Sequence, residues 1–132
     1  MIPHPSIAAK EEEIFRSVVE HMLDAALIMD WDGTILFANN TALRLMEMTS
    51  PRQMIGQNAA GFVQPESLPR VVADLEAVRS GRNGFLSQYL LKTAQGNDLW
   101  VEGLGTMIAV GSRVLDLVIL RDINIRRRLE AE

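Results

Sequence analysis

Hydrophobic positions along this 132-residue chain follow two different periods. From Ile7 to Leu23, Ile14, Phe15, Val18, Val19 and Met22 recur at the spacing of one helix face, and Lys10, Glu11, Glu12, Glu13, Arg16 and Glu20 take the other. Ser6 stands where an N-cap would. Such a stripe must lie on an apolar surface, either of its own domain or of a second subunit. The pattern then changes. Two short apolar runs, 26–29 and 34–38, flank Asp30-Trp31-Asp32-Gly33, a hairpin signal because glycine takes positive φ at little cost. Asn39 and Asn40 break the run and can cap a short helix over 41–48, and Pro51 and Gly56 punctuate a second helical piece.

Helical period returns in PESLPRVVADLEAVRSG. Ser67 can cap this helix, Pro69 suits its first turn, Gly81 can close it, and Leu68, Val71, Val72, Leu75 and Val78 form its apolar stripe. Three strand-like stretches follow, at 85–92, 98–110 and 113–122, with Gln95-Gly96-Asn97 and Gly111-Ser112 as hairpin turns. Consecutive hairpins imply antiparallel pairing. The order predicts an α+β fold: a five-stranded antiparallel sheet with short helices on one face and the N-terminal helix over the other.

Composition narrows the chemistry. The chain suits a single domain, with 48% hydrophobic and 23% charged residues. Its net charge of −4 argues against a nucleic-acid surface. The absence of cysteine removes disulfides, thiolate nucleophiles and thiolate metal sites. No apolar run approaches the ~20 residues of a membrane span, and the N-terminus lacks the basic and apolar regions of a secretory signal. The expectation is a cytoplasmic protein without membrane contact through this segment. Only His4 and His21 are available as imidazoles, no glycine-rich phosphate loop occurs, and Glu11, Glu12 and Glu13 spread around a helix instead of pairing. An enzyme is therefore not expected.

Five segments in order resemble the PAS domain, a sensory module of bacterial signalling proteins. LIMDWDGTILFANNTALRLM resembles its first hairpin, asparagine and small helix. SPRQMIGQ is similar to the next helix-turn, FVQPESLPRVVADLEAVRSGR to the long helix, LKTAQGNDLWVEGLGTMI to the following hairpin, and RDINIRRRLEAE to the ending. The resemblance divides the chain into an N-terminal helix (1–23), a PAS core (24–123) and the start of an exit helix (124–132). In that family the ending launches a helix toward another module, so the resemblance implies a piece of a longer protein with a C-terminal output domain. Asp122 and Asn124 take the signal-relay positions, Asn124 in place of the usual threonine. Asn124 can still cap the helix, and Asp122 would couple sheet to helix; alternatively Asp122 only caps and Arg126-Arg127-Arg128 form a solvated face.

The resemblance also bears on cofactors. Haem-binding members generally use a histidine on the long helix, and 68–80 contains none. GQNAAGFVQ echoes the motif of the light-oxygen-voltage branch, with alanines near the reactive cysteine's place and one extra residue. The positions that hold a flavin ring through polar side chains match Leu91, Val101 and Leu120, which would leave buried flavin groups unpaired at about 1–3 kcal/mol each. Haem and flavin are disfavoured and no cofactor is expected; a small, mostly apolar ligand fits better.

Alignment to the family assigns Tyr89, Leu91, Val101, Gly103, Val118 and Leu120 to the helix-facing side, met by Phe62, Val72 and Leu75, with Asn39 as a further pocket candidate. Gly103 and Gly105 either open room for a ligand or mark close packing. Trp100, Leu104, Ile108, Leu115, Leu117 and Ile119 take the other face, too apolar to leave wet. Val18, Val19 and Met22 of the first helix, or a second copy, would cover it, and a homodimer using both is expected. The functional expectation is a sensory module of a histidine kinase or diguanylate cyclase type of protein, relaying ligand or conformational signals through the last strand. The alternative is a ligand-free domain used for dimerisation.

Overall fold

The structure, a computed structural model, describes residues 23–82 and 85–131. The expected first helix, with Val18, Val19 and Met22, lies outside the described residues. Five strands form one sheet: β1 (Ala25–Met29), β2 (Ile35–Ala38), β3 (Ser87–Lys92), β4 (Asp98–Val110) and β5 (Arg113–Asp122). Their order is β2-β1-β5-β4-β3, and every pair is antiparallel, as the hairpin signals predict.

Local chemistry sets each turn. Between β1 and β2, Gly33 sits at φ +93° and its N–H donates to the Asp30 carbonyl at 3.0 Å. The Asp32 carboxylate accepts the Thr34 N–H at 2.9 Å and completes the turn. Strands β4 and β5 pair without a break from Val101↔Asp122 to Val110↔Arg113. On its other edge β5 pairs with β1, from Ala25↔Leu120 to Met29↔Asp116. The last strand in sequence is thus the central strand of the sheet.

The helices between β2 and β3 occupy one face. Helix α1 (Asn40–Leu45) is shorter than its apolar pattern predicts. It stops because Glu47 turns to φ +58°, the Met48 N–H donates to the Leu43 carbonyl, and the Glu47 carboxylate accepts from Asn97 at 2.7 Å. Three single 3₁₀ turns, Pro51–Gln53, Ala59–Phe62 and Pro65–Ser67, lead to helix α2 (Leu68–Arg79). Its end is as expected: with Gly81 at φ +100°, the N–H groups of Gly81 and Arg82 donate to the carbonyls of Val78 and Ala77. Its start differs. Ser67 makes no side-chain cap; its Oγ accepts the buried Leu90 N–H of β3 at 2.8 Å and pins the helix to the sheet. Helix α3 (Asn124–Ala131) leaves the end of β5. The main core lies between the sheet and the helices, built from residues such as Leu27, Ile35, Leu43, Met54, Leu99 and Val101.

Candidate functional site

A cavity of about 110 Å³ lies between α1, α2 and the sheet. A cavity of about 150 Å³ can hold benzene, so this space suits a body of a few heavy atoms. Tyr89, Leu91 and Val101 line it from β3 and β4, Val118 and Leu120 from β5, and Phe62 and Leu75 from the helical layer. Seven of the expected pocket residues therefore meet at one place, five of them because alternation along three neighbouring strands points them the same way. Met29, Met46 and Met54 add flexible thioether surface.

Three expected pocket residues stand elsewhere. Val72 is 63% exposed, and Val71 borders the cavity in its place. The stripe on α2 is wider than the contact it makes, so its outer edge stays in solvent. Asn39 is fully buried but serves as a joint: its Oδ1 accepts the N–H groups of Ala42 (2.9 Å) and Ala26 (3.0 Å), and its Nδ2 donates to the Asp24 carbonyl. Gly103 marks close packing, since a Cβ there would lie 2.6 Å from Leu120 Cδ2. Gly105 does border the cavity. Leu104, between the two glycines and expected only on the outer face, borders it as well.

Two acidic side chains, absent from the sequence expectations, also reach the cavity wall. Asp74 of α2 accepts the Tyr89 hydroxyl at 2.6 Å. Burial first, and then this bond, push the Tyr89 phenol well above its ordinary pKa, so it stays a protonated donor. Asp116 of β5 is only 2% exposed. Burial raises its pKa to about 6, and the backbone N–H of Thr106, which favours the charged form, offsets this only in part. Its Oδ1 has no hydrogen-bond partner among the described residues. The sequence held a signal: in VLDLVIL, alternation puts Asp116 on the same face as Val118 and Leu120.

The other face of the sheet meets α3. Leu115 is buried, while Trp100, Leu104, Ile108, Leu117 and Ile119 are partly covered. At the junction the two relay residues exchange parts. Asn124 does not cap α3; its Oδ1 accepts the Trp100 N–H at 2.7 Å and its Nδ2 donates to the Asp98 carbonyl at 3.2 Å. Together with the Ile123 N–H to the Trp100 carbonyl (2.9 Å), this extends the β4 ladder past the end of β5. Asp122 is exposed, and its carboxylate accepts the Asn124 N–H at 2.8 Å. Two of the three arginines are not a free solvated face. Arg127 lies with its guanidinium 3.6 Å from the Trp100 ring centre and donates to Gln88, while Arg126 pairs with Glu102 at 2.9 Å.

Among the described residues no group of three His, Cys, Asp or Glu side chains is placed to hold a metal ion, and no helix is long and apolar enough to cross a membrane. The family model described as PAS domain matches residues 23–124. No curated protein matches the chain. Among solved structures, a PAS domain of a protein from Colwellia psychrerythraea superposes with a TM-score of 0.77 at 20% identity, covering 88% of this chain and 99% of that one. A PAS domain from a two-component sensor histidine kinase gives 0.73 at 17% identity, covering 87% and 98%. A domain of the sensory box sensor histidine kinase/response regulator from Geobacter sulfurreducens gives 0.73 at 21% identity, covering 87% and 96%.

Proposed function

The chain belongs to the PAS domain family, and from that membership we propose that it is a non-catalytic sensory or regulatory module of a larger signalling protein, cytoplasmic and homodimeric. A small, mostly apolar ligand in the cavity, or force from a neighbouring segment, alters packing beneath the sheet. The change passes along β5 to Asn124 and α3, which bias an output module of the histidine kinase or diguanylate cyclase type. A second copy covers the outer face around Leu117 and Ile119. One observation carries this reading: the strand whose Val118 and Leu120 line the cavity is the strand that runs directly into α3. Native mass spectrometry of the purified protein tests the ligand part, with a stoichiometric small molecule expected. Amide NMR tests the relay. Filling the cavity must shift the signals of residues 124–127, and signals that stay in place on occupancy overturn the relay.

A second reading is a ligand-free dimerisation module. It is favoured by Ile125 and Leu129, exposed one helical turn apart on α3. A dimer that carries no small molecule and binds none would select it.

A further inference from the structure

Two carboxyl groups reach the wall of an otherwise apolar cavity, and among the described residues no lysine, arginine or histidine lines it. The two are not equivalent. Asp74 is answered by the Tyr89 hydroxyl at 2.6 Å. Asp116 is answered only in part: the Thr106 N–H favours its charged form, but Oδ1 is buried and unpartnered among the described residues. Gly105 keeps the space beside that oxygen open, since a Cβ there would stand 2.9 Å from Oδ1 and 3.1 Å from Val78 Cγ2.

A buried carboxylate lacking a counter-charge is costly, and an apolar residue of similar volume often packs as well or better. An acid with one buried oxygen unanswered at the wall of a ligand-sized space is therefore a candidate recognition group. Its desolvation has already been met on folding, so a cation entering the cavity gains charge-assisted hydrogen bonds against a group that is already dry. Phe62 and Tyr89 contribute aromatic rings to the same wall, surfaces that favour a cation and not an anion, while the third ring, Phe85, already carries the Arg82 guanidinium 4.7 Å from its centre.

We infer, resting on the reading of the cavity as a ligand site, that Asp116 recognises a small organic amine: an ammonium head held by the carboxylate and an apolar body among the methionine and aromatic side chains. The volume of about 110 Å³ limits that body to a few carbons. Anionic ligands are excluded by the two acids. Neutral alcohols supply a donor without the charge.

The test uses four probes of nearly the same shape, n-butylamine, n-butanol, n-pentane and n-butyrate, titrated into the 132-residue chain and followed by amide NMR at about pH 7.5, where the amine is charged and the acid largely ionised. Butylamine is expected to bind at least about tenfold more tightly than butanol or pentane, and butyrate not at all. Asp116→Asn should abolish the preference for the amine while retaining butanol. Should that variant fail to fold, the same contrast is read on the native chain at about pH 4.5, where protonation of the acid should remove the preference. Equal affinity for amine, alcohol and alkane, unchanged by Asp116→Asn or by acid, overturns the amine and leaves the ligand cavity standing. Tighter binding of butyrate does the same. Failure of all four probes overturns both readings.

Discussion

Strand β5 carries two aspartates, six positions apart, in opposite circumstances. Asp116 lies midway along the central strand, 2% exposed, with one oxygen unpartnered among the described residues. Asp122 ends the strand in solvent, where its carboxylate accepts a backbone N–H at 2.8 Å. The surroundings differ in the same way. Around Asp116 the walls of the cavity are apolar; near Asp122, Asn124, Trp100, Arg126 and Arg127 match donor to acceptor and cation to ring. A polar group left short of partners in an apolar pocket costs stability and is available for recognition. A saturated polar junction costs little and holds a helix in place.

The sharpest way to break this contrast is to titrate it. A carboxyl whose pKa rises from 3.8 to about 6 on folding favours the folded state least once it must ionise. The penalty is absent below about pH 4, grows between about pH 4 and 6, and is complete above that. At 1.36 kcal/mol per pH unit, the stability of Asp116→Asn relative to the parent should therefore rise by about 2–3 kcal/mol between about pH 4 and 7. Urea unfolding of both proteins across that range measures it; a constant difference would mean that Asp116 is answered after all. Gly105→Ala comes next. Its Cβ would meet Asp116 Oδ1 at 2.9 Å and Val78 Cγ2 at 3.1 Å, an overpacking expected to cost about 1–3 kcal/mol in chemical denaturation.

Changes at the junction should be smaller and ordered. Asn124→Ala leaves the partly buried Trp100 N–H without its acceptor and should cost about 1–2 kcal/mol. Asp122→Ala, which exposes one N–H to water, should cost less; the reverse order in thermal unfolding would restore Asp122 as the principal link. Arg127→Ala removes the guanidinium from Trp100 and should lower stability by about 0.5–1 kcal/mol while speeding amide exchange in α3. Unchanged exchange would show that the contact with Trp100 does not hold α3.

The sequence reads well wherever local chemistry decides. Asp-Gly sets the first hairpin, Gly81 ends α2, and the spans of β4 and β5 agree with their expected limits residue for residue. It reads less well where an element has more apolar residues than it can bury. On α2, Val71 and Val72 are equivalent by composition, and only the angle at which the helix meets the sheet selects Val71. Asn124 escaped for a related reason. Its position near a helix start suggests a cap, whereas its side chain bonds to β4, a partner 24 residues away in sequence. Asp116 was legible by alternation alone, but a charge inside an apolar run gives no hint of whether a partner awaits it.

The place of β5 in the sheet has a mechanical consequence. Hydrogen-bonded to β1 along one edge and to β4 along the other, it cannot slide independently, because a slip of one residue would turn Asp116, Val118 and Leu120 to the wrong side. In the proposed relay, motion reaching α3 from beneath the strand would have to bend β5 together with β1 and β4, like the leaves of a spring, because it cannot draw β5 along them.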